Sequence, residues 1–252
     1  MPGTLYLVPA PLDFGTDTAV PLADVLPDAT LQVAARLGHW ITENARSTRA
    51  FLNRVNATHP LAQPLQALAI QELPREVHKK GDHVAGSFDA RPLLAAAGDG
   101  HDIGLASEAG MPAVADPGAS VVRAAHALGI PVVPLVGPVS LLLALAASGL
   151  NGQNFAFVGY VPQQPGPRLQ RLRELEALAL RTGQTQLFIE TPYRNPALWQ
   201  AITEALKPDT TVAVASGLTL PTASVQSRKV SAWKKAAVPV TADRPAVFLL
   251  GP

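Results

Sequence analysis

Short apolar runs bounded by turn residues alternate with stretches of helical periodicity along the chain, and this alternation predicts an α/β protein. Leu5-Tyr6-Leu7-Val8 has the unbroken hydrophobicity of a strand buried on both faces, and Pro9-Ala10-Pro11 ends it by removing amide donors. Leu31 to Leu37 reads as a helix stopped by Gly38, and His39 to Thr42 as a second strand. A polar segment, Glu43 to Arg49, then leads into the apolar pair Phe51 and Leu52. Leu65 to Glu72 holds a third strand, and a helix capped by Ser87 or Asp89 runs through Leu94 to Ala97 and ends at Gly98. Ile103 to Ala106 is the fourth strand. The next helix carries Val121, Val122, Ala125 and Leu128 on one face, with Asp116 as its N-cap, Pro117 as its first residue and Gly129 as its end. Pro131 to Val136 is the fifth strand.

Gly137-Pro138-Val139-Ser140 interrupts the pattern and divides the chain into an N-terminal α/β domain, residues 1–137, and a C-terminal α/β domain, residues 138–252. The first has the alternation of a parallel sheet covered on both faces. The second opens with the apolar helix from Leu141 to Ala147 and continues with a strand from Phe155 to Val161. A helix follows with Leu169, Leu172, Leu175 and Leu178 along it, then a strand from Gln186 to Glu190 and a helix from Pro196 to Leu206. A strand from Thr211 to Ala215, a polar excursion and a last strand from Ala246 to Leu250 complete what is expected to be a mixed sheet.

Composition narrows this picture. With 48% hydrophobic and 15% charged residues the chain is globular rather than disordered. A net charge of +1 gives no whole-chain electrostatic case for nucleic acid. Two local basic stretches, Arg168-Arg171-Arg173 and Ser227 to Lys235 with Trp233 inside it, read first as solvated faces. The absence of cysteine excludes disulfides and thiolate metal sites and fits a reducing cytoplasm. No signal peptide is expected, and Leu141 to Ala147 is too short to span a bilayer.

Motifs for common chemistries are missing. No G-x-G-x-x-G follows the first strand, no phosphate-binding Walker loop is present and no serine stands in a nucleophile elbow. His78 and His83, with Asp82 between them, have a poor metal spacing and read as a turn. Four carboxylates, Glu43, Glu72, Glu108 and Glu190, stand at or near predicted strand ends, where open α/β sheets bind ligands. Glu43, Arg46 and Arg49 either face a cleft or form the solvated first turn of a helix, and spacing alone favours the second reading.

Several stretches in order resemble the tetrapyrrole methylase superfamily of S-adenosylmethionine-dependent methyltransferases, and within it the 16S rRNA (cytidine 2′-O)-methyltransferase branch. The first loop, Ala10-Pro11-Leu12-Asp13-Phe14-Gly15, is similar to that branch's A-T-P-I-G-N-L, and Thr42 to Arg49 to its A-E-D-T-R-x-T-R. Ser107 to Gly118 is similar to S-D-A-G-T-P-x-x-S-D-P-G, and Val133 to Ser140 to V-P-x-P-G-P-S. Phe157 to Pro162 resembles F-x-G-F-x-P, and Glu190-Thr191-Pro192-Tyr193-Arg194 resembles E-S-P-H-R.

The resemblance implies two α/β domains with S-adenosylmethionine in a cleft between them, a homodimer and no metal; the apolar runs give no membrane partner. It places cofactor-binding residues at Pro11, Glu108, Ala109, Gly110, Met111 and Pro112, and more weakly at Asp116, Ser140 and Tyr193. It implies methyl transfer to a ribose hydroxyl of RNA, with Glu43 or Glu108 as catalytic base and Arg46 steering a phosphate. The chain departs from the pattern at three places. Asn44 stands where the branch has an acid, Glu108 replaces its loop Asp, and Ala213 to Thr219 lacks the Arg and Glu of A-R-E-L-T. These departures leave room for another acceptor, for a tetrapyrrole C-methyltransferase on the same fold, and for a cofactor-binding protein without activity.

Overall fold

A computed structural model describes residues 2–13, 15–16, 18–84 and 86–252, with the backbone alone at 78–80. The chain divides into two compact units, Met1–Pro138 and Val139–Pro252.

The first unit contains β1 (Leu5–Leu7), α1 (Asp28–Arg36), β2 (His39–Thr42), α2 (Ala45–Asn56), β3 (Ala69–Glu72), α3 (Arg75–Lys80), α4 (Ala95–Gly98), β4 (Ile103–Ala106), α5 (Ala119–Ala127) and β5 (Val132–Pro134). All pairings are parallel, in the order β3-β2-β4-β1-β5, as the apolar runs predict. Leu31, Ala34, Phe51, Leu52 and Val55 of α1 and α2 bury one face with Trp40 and Val8. Val77, Leu94, Ala97, Val121 and Ala125 bury the other with Leu5, Ile103 and Leu105. Trp40 lies flat against β4, where a Cβ on Gly104 would stand 2.6 Å from its ring, so the close approach of strand and indole requires glycine there.

Three local expectations change. Asp116 does not cap α5: the N-cap position is Gly118 at φ +135°, and the chain has two more residues of loop than the Asp-Pro-Gly pattern suggested. Residues 65–67 form a 3-10 turn before β3, because Pro64 sets φ and leaves too few extended residues for a longer strand. The expected helix through Leu94 begins as a 3-10 turn at Arg91–Leu94, with Asp89 Oδ1 accepting from Arg91 N at 3.1 Å. The expected turn at His78 and His83 begins with the helical backbone of α3 and reverses at Gly81; the His78 side chain and Phe14 lie outside the described residues.

The second unit contains α6 (Ser140–Ser148), β6 (Phe155–Tyr160), α7 (Pro165–Thr182), β7 (Thr185–Glu190), α8 (Asn195–Ala205), β8 (Thr211–Ser216), β9 (Ser224–Lys229), α9 (Val230–Trp233) and β10 (Ala246–Gly251). Its sheet is mixed, in the order β6-β7-β10-β8-β9, with β6 and β7 parallel and the other pairs antiparallel. Leu172, Leu175, Leu198, Ile202 and Trp233 cover one face and α6 covers the other. The polar excursion after β8 proves to be the edge strand β9. No helix among the described residues is long and apolar enough to cross a membrane.

Candidate functional site

In the first unit the carboxyl ends of β1, β2 and β4 lie side by side, and the loops that leave them meet at that rim. The loop from β1 is tied to the loop from β4 by a two-way bridge: Ala10 N donates to Gly110 O at 2.9 Å and Gly110 N to Ala10 O at 3.0 Å. Gly110 has φ +73°, and an added Cβ would meet Leu12 at 3.2 Å. A side chain at this turn is therefore strained by the backbone and crowded by its neighbour.

The first loop is held by Asp13, whose carboxylate accepts both arms of Arg54, at 3.1 and 2.9 Å, and Val20 N at 3.0 Å. Arg54 also donates to Val20 O at 2.6 Å. This two-pronged pairing fixes orientation as well as charge. At the end of β2, Asn44 caps α2, its Oδ1 accepting from Arg46 N at 2.9 Å and Ser47 N at 3.4 Å. Glu72 Oε1 accepts from Ala45 N at 2.7 Å, so the β3-end carboxylate serves the same helix start.

The loop after β4 is strained. Ala113 and Ala115 sit at φ +64° and +66°, in the left-handed region that alanine rarely adopts. Such strain persists where surrounding contacts over-determine it, and it gathers at ligand loops. The far end of the loop is held by Asp82, which is buried. Its Oδ2 accepts from Gly118 N at 3.0 Å, Ser120 N at 2.8 Å and Ser120 Oγ at 2.6 Å, which makes it the cap of α5 delivered from another loop. Arg123 clamps that loop through the carbonyls of Asp82, His83 and Val84. Burial raises the affinity of Asp82 for a proton, but the three donors and Arg123 outweigh it and hold the carboxyl below the usual range.

Three carboxylates converge at the rim. Glu108 N donates to Glu43 Oε2 at 3.3 Å, and both acids face Asp116. Burial, then the charges of Glu43 and Glu108, push the Asp116 carboxyl up to about 7, against the pull of a hydrogen bond from Ser107. Beside them is a cavity of about 460 Å³ whose walls include Pro11, Asp13, Asn44, Arg46, Arg54 and Glu108. No group of three or more His, Cys, Asp or Glu that could hold a metal occurs among the described residues.

The first unit therefore gathers Pro11, Glu43, Arg46, Glu108, Gly110 and Asp116, with Ala109, Met111 and Pro112 on the same loop. Ser140 opens α6 and Tyr193 is exposed in a 3-10 turn beneath Arg194, both within the second unit. Glu190, also in that unit, is engaged by Arg194 at 2.8 Å and by Thr191 N at 2.8 Å. Sequence reasoning missed Asp82 and the Asp13–Arg54 clamp, since each pairs with residues far along the chain.

The pH dependence of Asp116 can be tested by stability. A carboxyl raised from 3.8 to about 7 on folding keeps a proton that the unfolded chain has shed between those values, so stability falls as pH rises through that window and is level above it. Asp116→Asn is expected to melt with the parent near pH 4 and above it at pH 8. A melting gap that stayed constant from pH 4 to 8 would contradict this origin.

The family model described as Tetrapyrrole (Corrin/Porphyrin) Methylases matches residues 29–232. A protein of Halalkalibacterium halodurans named Ribosomal RNA small subunit methyltransferase I is 32% identical over 76% of this chain and 56% of its own length. Proteins of the same name from Mesorhizobium japonicum and Xylella fastidiosa are 32% and 33% identical, over 85% and 77% of this chain and 63% and 60% of their own lengths. The chain thus spans roughly three-fifths of these relatives. Among solved structures, the methyltransferase CobJ has a TM-score of 0.56 at 17% identity, covering 99% of this chain and 94% of its own. Uroporphyrin-III-C-methyltransferase from Thermus thermophilus has a TM-score of 0.51 at 19% identity, covering 100% and 93%. With the matched region spanning both units, the chain belongs to the tetrapyrrole (corrin/porphyrin) methylase family.

Proposed function

We propose that this protein is an S-adenosylmethionine-dependent methyltransferase acting on a ribose hydroxyl of ribosomal RNA. The observation that carries the reading is the convergence of Glu43, Glu108 and Asp116 on the strained loop after β4, beside a cavity edged by Arg46. The names of the rRNA methyltransferase relatives support the acceptor. RNA as partner and assembly as a homodimer belong to the same proposal.

The rim fits the cofactor chemically. S-adenosylmethionine supplies an electrophilic methyl group on a positively charged sulfonium. Three carboxylates drawn close enough to raise the proton affinity of Asp116 suit a cationic ligand, and the bridge from Gly110 to Ala10 holds the two loops together beside them. Pro11, Glu108, Ala109, Gly110, Met111, Pro112 and Asp116 would hold it. Ser140 and Tyr193 are assigned the same role by sequence motif alone.

Methyl transfer is an in-line displacement, so the protein's main task is alignment. A ribose hydroxyl reacts once its proton is taken up, and Glu43 or Glu108 is the acceptor in this reading. Arg46, exposed on the cavity rim, is free to reach for a phosphate without first leaving the protein interior.

Calorimetric titration with S-adenosylmethionine and S-adenosylhomocysteine tests the reading. Saturable binding is expected in the parent and none in Gly110→Trp, where φ +73° and Leu12 oppose any side chain. Parent protein that bound neither compound would remove the methyltransferase reading. Release of S-adenosylhomocysteine with small-subunit RNA, and none with a porphyrinogen, would set this acceptor apart from a tetrapyrrole.

A further inference from the structure

We propose that the edge of the second unit formed by β9 and α9 is a docking surface for the phosphate backbone of RNA. The choice of RNA among polyanions rests on the reading above; the surface itself rests on charge and exposure.

The near-zero net charge of the whole chain conceals an asymmetry. Residues 139–252 contain eleven Lys and Arg against six Asp and Glu, whereas residues 1–138 contain nine against thirteen. The surplus of the second unit collects at one place. Arg228 and Lys229 end the edge strand β9, Lys234 and Lys235 directly follow α9, and all four are exposed. Lys207 joins them, because Ser231 N bonds to Pro208 O and Val230 N to Thr210 O, which binds the start of α9 to the turn before β8.

The edge is built to hold its cations in place. Trp233 is buried and donates its indole N–H to Val212 O at 2.8 Å, and the Arg228 guanidinium lies over its ring at 4.9 Å. Arg228 also donates to Gln226 Oε1 at 3.1 Å. The register Arg228↔Val212 and Lys229↔Thr211 sends the two side chains to opposite faces of the sheet, so positive charge wraps around the strand. The acid paired here among the described residues is Asp209, 3.4 Å from Lys229 Nζ and itself largely exposed. An exposed pair at that distance gives up its partner readily to a phosphate. A planar guanidinium fixed on an indole, with ammonium groups on either side, suits a run of phosphodiesters better than a single small anion.

The test is fluorescence anisotropy of a labelled hairpin RNA against the full chain as salt is varied. Lys229→Gln/Lys234→Gln/Lys235→Gln is expected to weaken binding at least roughly tenfold and to flatten the salt dependence by about 2 in log–log slope. Lys229→Arg/Lys234→Arg/Lys235→Arg, which keeps the charge, should bind as the parent does. Arg171→Gln/Arg173→Gln, on α7, should also leave the slope unchanged. Parent protein that did not bind RNA, a neutral triple variant that bound as well as the parent, or equal losses in all three variants would each overturn the surface. RNA binding through this edge without methyl transfer would sink the activity reading and leave the surface standing. Methyl transfer with RNA affinity untouched in the neutral triple variant would do the reverse.

Discussion

Asp82→Ala is expected to lower the stability of the first unit by about 3 kcal/mol, because one buried carboxylate satisfies three donors at the start of α5. The alanine leaves Gly118 N, Ser120 N and the Ser120 hydroxyl without their acceptor, and loses a charge favourably placed at a helix N-terminus. Partial relief comes from no longer burying a carboxylate, which is why the net loss stays below the sum of three charged hydrogen bonds. A loss of this size lowers the melting midpoint by roughly 6–12 °C for a unit of this length. Asp82→Asn should fall between, since its Oδ1 can accept while its amide group meets another donor. The acid dependence has a definite sign. A carboxyl held below 3.8 contributes stability that is complete above that pH and fades as pH falls through its folded value, so parent and Asp82→Ala should converge in acid. Thermal melts from pH 3 to 7 measure this; a variant that melted with the parent at pH 7 would show that Asp82 does not hold the loop. The same variant should weaken cofactor binding, since the strained Ala113 and Ala115 lie between its anchor and β4.

Strands buried on both faces were the most legible part of this fold. His39–Thr42 and Ile103–Ala106 have the expected bounds, because a central strand covered by helices on both sides buries nearly all of its residues and stops where its polar loop begins. β9 was illegible for the opposite reason. Ser224 to Lys229 contains a single apolar residue, Val225, and an edge strand with one solvated side needs no more. The start of α5 misled because Asp116-Pro117 has the chemistry of a helix start, whereas tertiary contact supplied the cap from Asp82. Pattern placed Glu43 and Glu108 near strand ends and read Asp116 as a helix cap, and resemblance to family motifs singled out all three. Their mutual distance and the proton held at Asp116 follow from pairing β2 beside β4, which sequence separation does not reveal.

Glu43→Gln is expected to reduce kcat for RNA methylation by about 10² to 10⁴ while leaving the KM for RNA nearly unchanged, if Glu43 takes the hydroxyl proton. The amide keeps the shape and most hydrogen bonding of the side chain but cannot accept a proton at neutral pH. Arg46→Ala should show the complementary split, raising the KM for RNA with a smaller effect on kcat, because an exposed guanidinium acts on binding rather than on the proton. The pH profile separates a base from a structural carboxylate. Glu43 is the leading charge raising Asp116 after burial, so removing it lets the Asp116 carboxyl fall below 7. In the parent, the acid limb of kcat/KM should follow the Asp116 carboxyl near 7, and in Glu43→Gln the residual activity should have its acid limb at lower pH. Full kcat in Glu43→Gln with collapse in Glu108→Gln would transfer the role to Glu108. Full kcat in both would remove carboxylate catalysis from this rim and leave alignment of donor and acceptor as the whole of its contribution.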